Sequence, residues 1–121
     1  MYMDIKLFDS ELNIMEILWE DGDTSAKELA LILNKKVGWI KTTTYTIIKK
    51  CIQKGVIQRI DPGFICHALI DKKDVQQYET NALISKLYDS APDQLIASLL
   101  SQQKISPEKI EKLMKMIEKT D

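Results

Sequence analysis

The stretch from Lys41 to Ile70 constrains the fold more than any other part of the chain. Thr44, Ile47, Ile48, Cys51 and Ile52 alternate at spacings of three and one, which gathers them on one side of an α-helix. Lys41 to Lys54 is therefore predicted to be helical, and Gly55 supplies the residue that can turn left-handed and stop it. β-Branched residues are common here, so propensity alone would allow a strand; the 3.6-residue period and Gly55 select the helix. Val56–Ile60 and Phe64–Ile70 then read as short strands rich in β-branched and aromatic residues. Between them, Asp61-Pro62-Gly63 is turn chemistry, since Pro presets φ and Gly accepts a positive one. A helix thus runs directly into a hairpin.

Two more helices are predicted upstream. Asp9 or Ser10 is an N-cap candidate ahead of the apolar run Leu12–Trp19, in which Ile14, Met15, Leu18 and Trp19 share a face. Asp21-Gly22-Asp23 ends that helix. Ser25 with Glu28 three residues on is a capping box that opens a second helix with the stripe Ala26, Leu29, Ala30 and Leu33. Asn34 to Gly38 reads as a basic connector. Three helices followed by a hairpin is the order of a winged helix-turn-helix, so the expected class is mainly α (α+β). After Asp71 the glycines stop. A helix is predicted from Lys73 to Tyr88, ended by Ser90-Ala91-Pro92. A second carries Leu95, Ile96, Leu99 and Leu100. A third starts at Ser106-Pro107-Glu108, with an N-cap, Pro at the first position and an acid near the positive end of the dipole. Three short amphipathic helices make a poor independent core. They call for a partner surface, and a second copy of the same segment is the economical one. The expected division is a winged-helix domain over 1–71 and a small helical dimerisation domain over 72–121. The apolar positions assigned to dimerisation are Tyr78, Leu87, Leu95, Leu99, Ile110, Leu113, Met114 and Ile117.

Charge separates along the chain although the net value is only −1. Residues 1–34 hold two lysines against eight acids, and residues 61–121 hold eight lysines against ten. Residues 35–60 hold seven basic residues and no acid: Lys35, Lys36, Lys41, Lys49, Lys50, Lys54 and Arg59. A basic block in an otherwise acidic chain is the electrostatic footprint of a polyanion-binding surface. It coincides with the third helix, whose face opposite the apolar stripe reads Thr42, Tyr45, Thr46, Lys49 and Gln53, flanked by Thr43 and Lys50. Such a helix suits the DNA major groove. Lys41, Lys49 and Lys50 can meet phosphate or guanine, threonine hydroxyls can bond to base edges, and threonine methyls can pack on thymine. No stretch nears the roughly 18 apolar residues of a membrane span. Met1 to Phe8 carries Asp4 and Lys6 rather than the apolar core of a signal peptide, so no membrane association and a cytoplasmic location are expected.

These segments together resemble the penicillinase-repressor group of bacterial winged-helix regulators, the BlaI/MecI/CopY type. The matching residues are Asp9-Ser10-Glu11 through Met15-Glu16-Ile17-Leu18-Trp19-Glu20, Ser25-Ala26, and Trp39, Thr43, Thr46 and Lys54-Gly55 at the family's spacing. Tyr78-Glu79-Thr80 and Ile105 to Leu113 match its C-terminal part. The resemblance implies a homodimer on a dyad-symmetric operator that blocks transcription, with the C-terminal helices as the dimer interface. It implies DNA contacts at Thr42, Thr43, Tyr45, Thr46 and Lys50, and leaves release from DNA open between a sensor protease, an antirepressor and a ligand. The chain also departs from the pattern. Lys41 stands where members often have Pro, and Thr42 and Tyr45 stand where they often have basic residues. The wing turn is Asp61-Pro62-Gly63 rather than basic, which leaves Arg59 as its main expected phosphate contact. Ser98-Leu99 replaces the Asn-Phe cleavage pair of penicillinase repressors, and no cysteine follows Cys66, so the copper-binding Cys-x-Cys pairs are absent.

Other chemistry finds little support in the residues. His67 is the one histidine, and with Cys51 and Cys66 it forms no recognised ligand spacing. The two cysteines are expected in the core, and Trp19 and Trp39 as packing anchors. No nucleophile–base pair or glycine-rich phosphate loop is legible, so neither catalysis nor a cofactor is expected. The alternative to a DNA-binding repressor is a winged-helix module that binds another protein and not DNA.

Overall fold

A computed structural model describes residues 6–118. The order is α1 (Asp9–Asp21), β1 (Thr24–Ser25), α2 (Ala26–Val37), α3 (Lys41–Lys54), β2 (Ile57–Ile60), β3 (Ile65–Ala68), α4 (Lys72–Leu87), α5 (Pro92–Ser101) and α6 (Pro107–Glu118). Packing divides the chain into a first unit ending at Glu79 and a second starting at Thr80, so the division falls within α4. Three helices and an antiparallel sheet in the order β1-β3-β2 make the first unit a winged helix-turn-helix.

Its core forms where the apolar stripes converge. Ile14, Met15, Ile17 and Leu18 of α1 meet Ala26, Leu29 and Leu33 of α2 and Ile47, Ile48 and Cys51 of α3. Val56, Ile57, Cys66 and Ile70 close the cluster from the hairpin, and Val75 adds the first turn of α4. The buried set follows the predicted stripes of α1, α2 and α3, with Ile52 and Trp19 packed at the margin. Trp19 has a second use: its indole Nε1–H donates to the Ile70 carbonyl at 2.9 Å, tying the end of the hairpin to α1. Thr44 is the exception within the α3 stripe. Its hydroxyl is fully buried and, among the described residues, has no hydrogen-bond partner, a cost of about 1–3 kcal/mol.

Three local expectations are corrected. The N-cap of α1 is Phe8, not Asp9 or Ser10, because the Glu11 carboxylate turns back to accept the Phe8 N–H at 2.8 Å. Residues 34–37 are helical and not a connector. The helix runs to Gly38, which takes φ +75° and donates to the Asn34 carbonyl, and Lys35 and Lys36 sit at the negative end of its dipole. The sheet also has a strand that local patterning did not reveal. Thr24 and Ser25 pair antiparallel with Cys66 and Ile65, so β3 is central, flanked on its other side by β2 in the register Gln58↔His67 and Arg59↔Cys66. The α2 capping bond is present, with Ser25 Oγ accepting from the Glu28 N–H at 3.1 Å.

The second unit consists of the end of α4, α5 and α6. Asp89 and Ser90 take positive φ after α4, and Pro92 occupies the first turn of α5. Ser106 Oγ caps α6 by accepting from the Lys109 N–H at 3.1 Å. Neither α5 nor α6 has a buried residue within the single chain. Of the α6 positions assigned to dimerisation, Ile110 is half-buried in one chain, and Leu113, Met114 and Ile117 are exposed.

Candidate nucleic-acid interface

Helix α3 is presented by what holds its two ends. At the start, the Asn34 amide donates to the Trp39 carbonyl at 3.0 Å, and the Trp39 N–H reaches the Leu33 carbonyl at 3.4 Å. This fixes the tight entry from α2, and Ile40 becomes the N-cap without any side-chain capping bond. At the end, Gly55 takes φ +81° and the Val56 N–H returns to the Cys51 carbonyl at 3.1 Å. Lys54 reaches across to α1. Its ammonium lies 2.6 Å from the buried Glu11 carboxylate, 3.0 Å from the Lys6 carbonyl and 4.6 Å from the centre of the Phe8 ring. With Thr44, Ile47, Ile48 and Cys51 fixed in the core, the opposite face of α3 has one orientation.

That face brings the predicted residues together. Lys41, Thr42, Thr46, Lys49, Lys50 and Gln53 are exposed, and Thr43 and Tyr45 are half-buried. Among the described residues no carboxylate pairs with Lys41, Lys49 or Lys50. The basic block of the sequence is thus not uniform. Lys54 is committed to Glu11, and Arg59 donates through Nε to both oxygens of Asp61 at 3.1 Å. Three lysines are left along one helix. Thr46 Oγ1 donates to the Thr42 carbonyl at 2.9 Å, so its hydroxyl proton is used. What it offers outward is an acceptor oxygen and a methyl group.

Sequence reasoning missed how the helix joins the wing. Tyr45 meets Phe64 edge-to-face, with ring centres 5.8 Å apart and planes at 82°. The Lys41 ammonium lies 5.7 Å from the Tyr45 ring centre, and the Arg59 guanidinium 3.7 Å from that of Phe64. A chain of cation–aromatic and aromatic contacts therefore runs from the start of α3 to β2. Phe64 itself takes φ +49° in the turn, where its N–H donates to Asp61 at 3.3 Å. No local pattern marks Phe64, because its partners lie on two other elements.

The chain is similar to several repressors. A family model described as penicillinase repressor matches residues 7–119. The chain belongs to the penicillinase repressor family. It is 23% identical to the penicillinase repressor of Bacillus licheniformis over 115 residues, 93% of this chain and 90% of that protein. With the methicillin resistance regulatory protein MecI of Staphylococcus aureus it shares 24% identity, across 97% of this chain and 99% of that one. The solution structure of the DNA-binding domain of the repressor BlaI matches with a TM-score of 0.55 at 26% identity, covering 61% of this chain and 93% of that one. These relatives are regulators, and this penicillinase repressor family member is a regulatory protein and not an enzyme.

Within the family frame, the residues assigned to dimerisation lie on α4, α5 and α6. Tyr78, Leu95, Leu99 and Ile110 are half-buried in the single chain, while Leu87, Leu113, Met114 and Ile117 are exposed. The Ser98-Leu99 pair, which the resemblance aligned with the Asn-Phe cleavage pair, lies inside α5. Ser98 Oγ accepts from the Gln102 side chain at 2.9 Å, and the Ser98 carbonyl accepts from the Ser101 hydroxyl at 3.0 Å. Among the described residues no helix is long and apolar enough to cross a membrane.

Proposed function

We propose that this chain is a cytoplasmic transcriptional repressor that acts as a homodimer on dyad-symmetric double-stranded DNA, with α3 of each copy in the major groove. The observation that carries the reading is the outward face of α3, where, among the described residues, Lys41, Lys49 and Lys50 stand without carboxylate partners beside Thr42, Thr43 and Thr46. The lysines supply phosphate contacts and position the helix; the threonines face base edges. Arg59 adds one further phosphate contact from the wing, moderated by Asp61. Membership of a family of repressors and the likeness to the BlaI DNA-binding domain support the same assignment.

The exposed apolar residues of α6 support pairing with a second copy. Two symmetry-related α3 helices would then meet half-sites about 34–36 Å apart. Release from DNA calls for a further partner, a sensor protease or an antirepressor. A protease acting at Ser98-Leu99 would first have to open α5.

The test is fluorescence anisotropy with a duplex from upstream of the chain's own gene, repeated over a salt series. Affinity is expected to fall steeply with salt, by the counterions released at each phosphate contact. Lys50→Ala should weaken binding to every duplex by a similar factor, whereas Thr46→Ala should mainly relax base preference. Salt-independent binding, or no binding at all, would sink the proposal and leave a protein-binding winged helix.

A further inference from the structure

Ile40 occupies a position that folding does not explain. It is the N-cap of α3, where Ser, Thr, Asp or Asn would satisfy a free N–H and stabilise the helix. It provides no capping bond. Nor does it pack, since it is 65% exposed and lies outside the core cluster. A large apolar side chain thus replaces a stabilising polar one at the leading end of the helix proposed to enter DNA. Its backbone is held on both sides: the preceding Trp39 carbonyl is fixed by Asn34, and the Ile40 carbonyl accepts from the N–H groups of Thr43 at 3.0 Å and Thr44 at 3.3 Å. The side chain therefore starts from a defined point next to the exposed Lys41 and Thr42.

We infer that Ile40 is a specificity-determining residue that reads the 5-methyl group of a thymine in the major groove. This rests on the DNA-binding reading above. In docked helix-turn-helix proteins the N-terminal residues of the recognition helix meet the base edges. The thymine methyl is the one apolar group that the four base pairs display in the major groove. An isoleucine delivered there has that methyl as its complementary partner, and cytosine in its place would present only a C5–H, leaving the side chain without a methyl to pack on. The half-site is accordingly expected to hold a thymine whose recognition depends on residue 40.

The experiment begins by selecting tight-binding duplexes from a random pool with the full chain. Each thymine of the selected half-site is then replaced, one at a time, by deoxyuridine, which lacks only the methyl. At one thymine the wild-type protein should lose about fourfold in affinity per half-site, the worth of one buried methyl-sized group. Ile40→Ser should show no loss at that thymine while keeping any losses at thymines read by Thr43 or Thr46. Ile40→Val, which keeps a branched apolar surface, should retain most of the sensitivity. Ile40→Ser gains a capping hydroxyl, so its melting temperature should not fall, and poor folding is not expected to confuse the result. Identical deoxyuridine profiles for wild type and Ile40→Ser, or a selected half-site without thymine, would overturn the inference. A random pool that yields no selected duplex would instead bring down the DNA-binding reading itself.

Discussion

Burial pushes the Cys51 thiol up to about 12, with the Glu11 carboxylate adding to the rise and Lys54 opposing it. It pushes Cys66 up to about 11, with Arg59 opposing. Both are free and buried, as the apolar stripe of α3 and the strand pattern around residue 66 predicted. At neutral pH they are inert thiols, because the thiolate is the reactive form. The consequence for stability has a definite sign. In the unfolded chain these thiols ionise near pH 8.5, and in the folded protein not until about pH 11–12. Their contribution is complete below about pH 8.5 and is lost as pH rises through the folded values. Alkaline titration followed by circular dichroism should show stability falling through this window, and iodoacetamide at about pH 8, just below the unfolded value, should label the unfolded protein but not the native one. Rapid labelling of native Cys51 would contradict its placement. At the same scale, the intrahelical bond of Thr46 could not be read from residue type: a threonine's hydroxyl is free or used depending on its rotamer, which only the structure shows.

At the scale of elements, local periodicity made most of the fold legible. The stripe of α3, its stop at Gly55 and the Ser25 cap of α2 each depend on residues within one helix or one turn of each other. What escaped reading depends on distant partners. Glu11 looks like an ordinary first-turn acid, yet it is 1% exposed, because Lys54, 43 residues away, neutralises it. The β1 strand is two residues long and exists only by pairing with β3. Phe64 gains its role from Tyr45 and Arg59 together. The Glu11–Lys54 clamp carries the prediction at this scale. Lys54→Met leaves a buried carboxylate without its cation and should cost about 3 kcal/mol, the usual size when one partner of a buried pair is removed. Adding Glu11→Gln should recover part of that loss. Urea denaturation checks both, and an unchanged midpoint for Lys54→Met would show that the clamp does not hold α1 to α3.

The whole molecule combines a unit with a closed core and a unit with almost none. The first unit gathers its buried apolar residues from every one of α1, α2, α3 and the hairpin. In the second, α6 exposes Leu113, Met114, Met116 and Ile117 to solvent, a large apolar share for a 12-residue helix. Pairing of two copies would cover them and link two α3 helices, so that binding one half-site raises the effective concentration at the other. Met114→Glu places a charge at a position that is 57% exposed in the single chain. It should leave the chain's own fold intact but weaken self-association at least tenfold, measured by analytical ultracentrifugation. Operator affinity should drop with it. A wild-type chain that sediments as a monomer at micromolar concentration would remove the dimer from the proposal.

Residue order alone was enough to establish the helices, the hairpin, the family resemblance and which face of α3 is polar, because each of these is written in spacing over a few residues. Three-dimensional packing had to settle which basic residues are left unpaired on that face and where Glu11 and Phe64 belong. Those outcomes depend on side chains brought together from separate elements, and charge pairing or ring packing across such distances leaves no period in the chain to read.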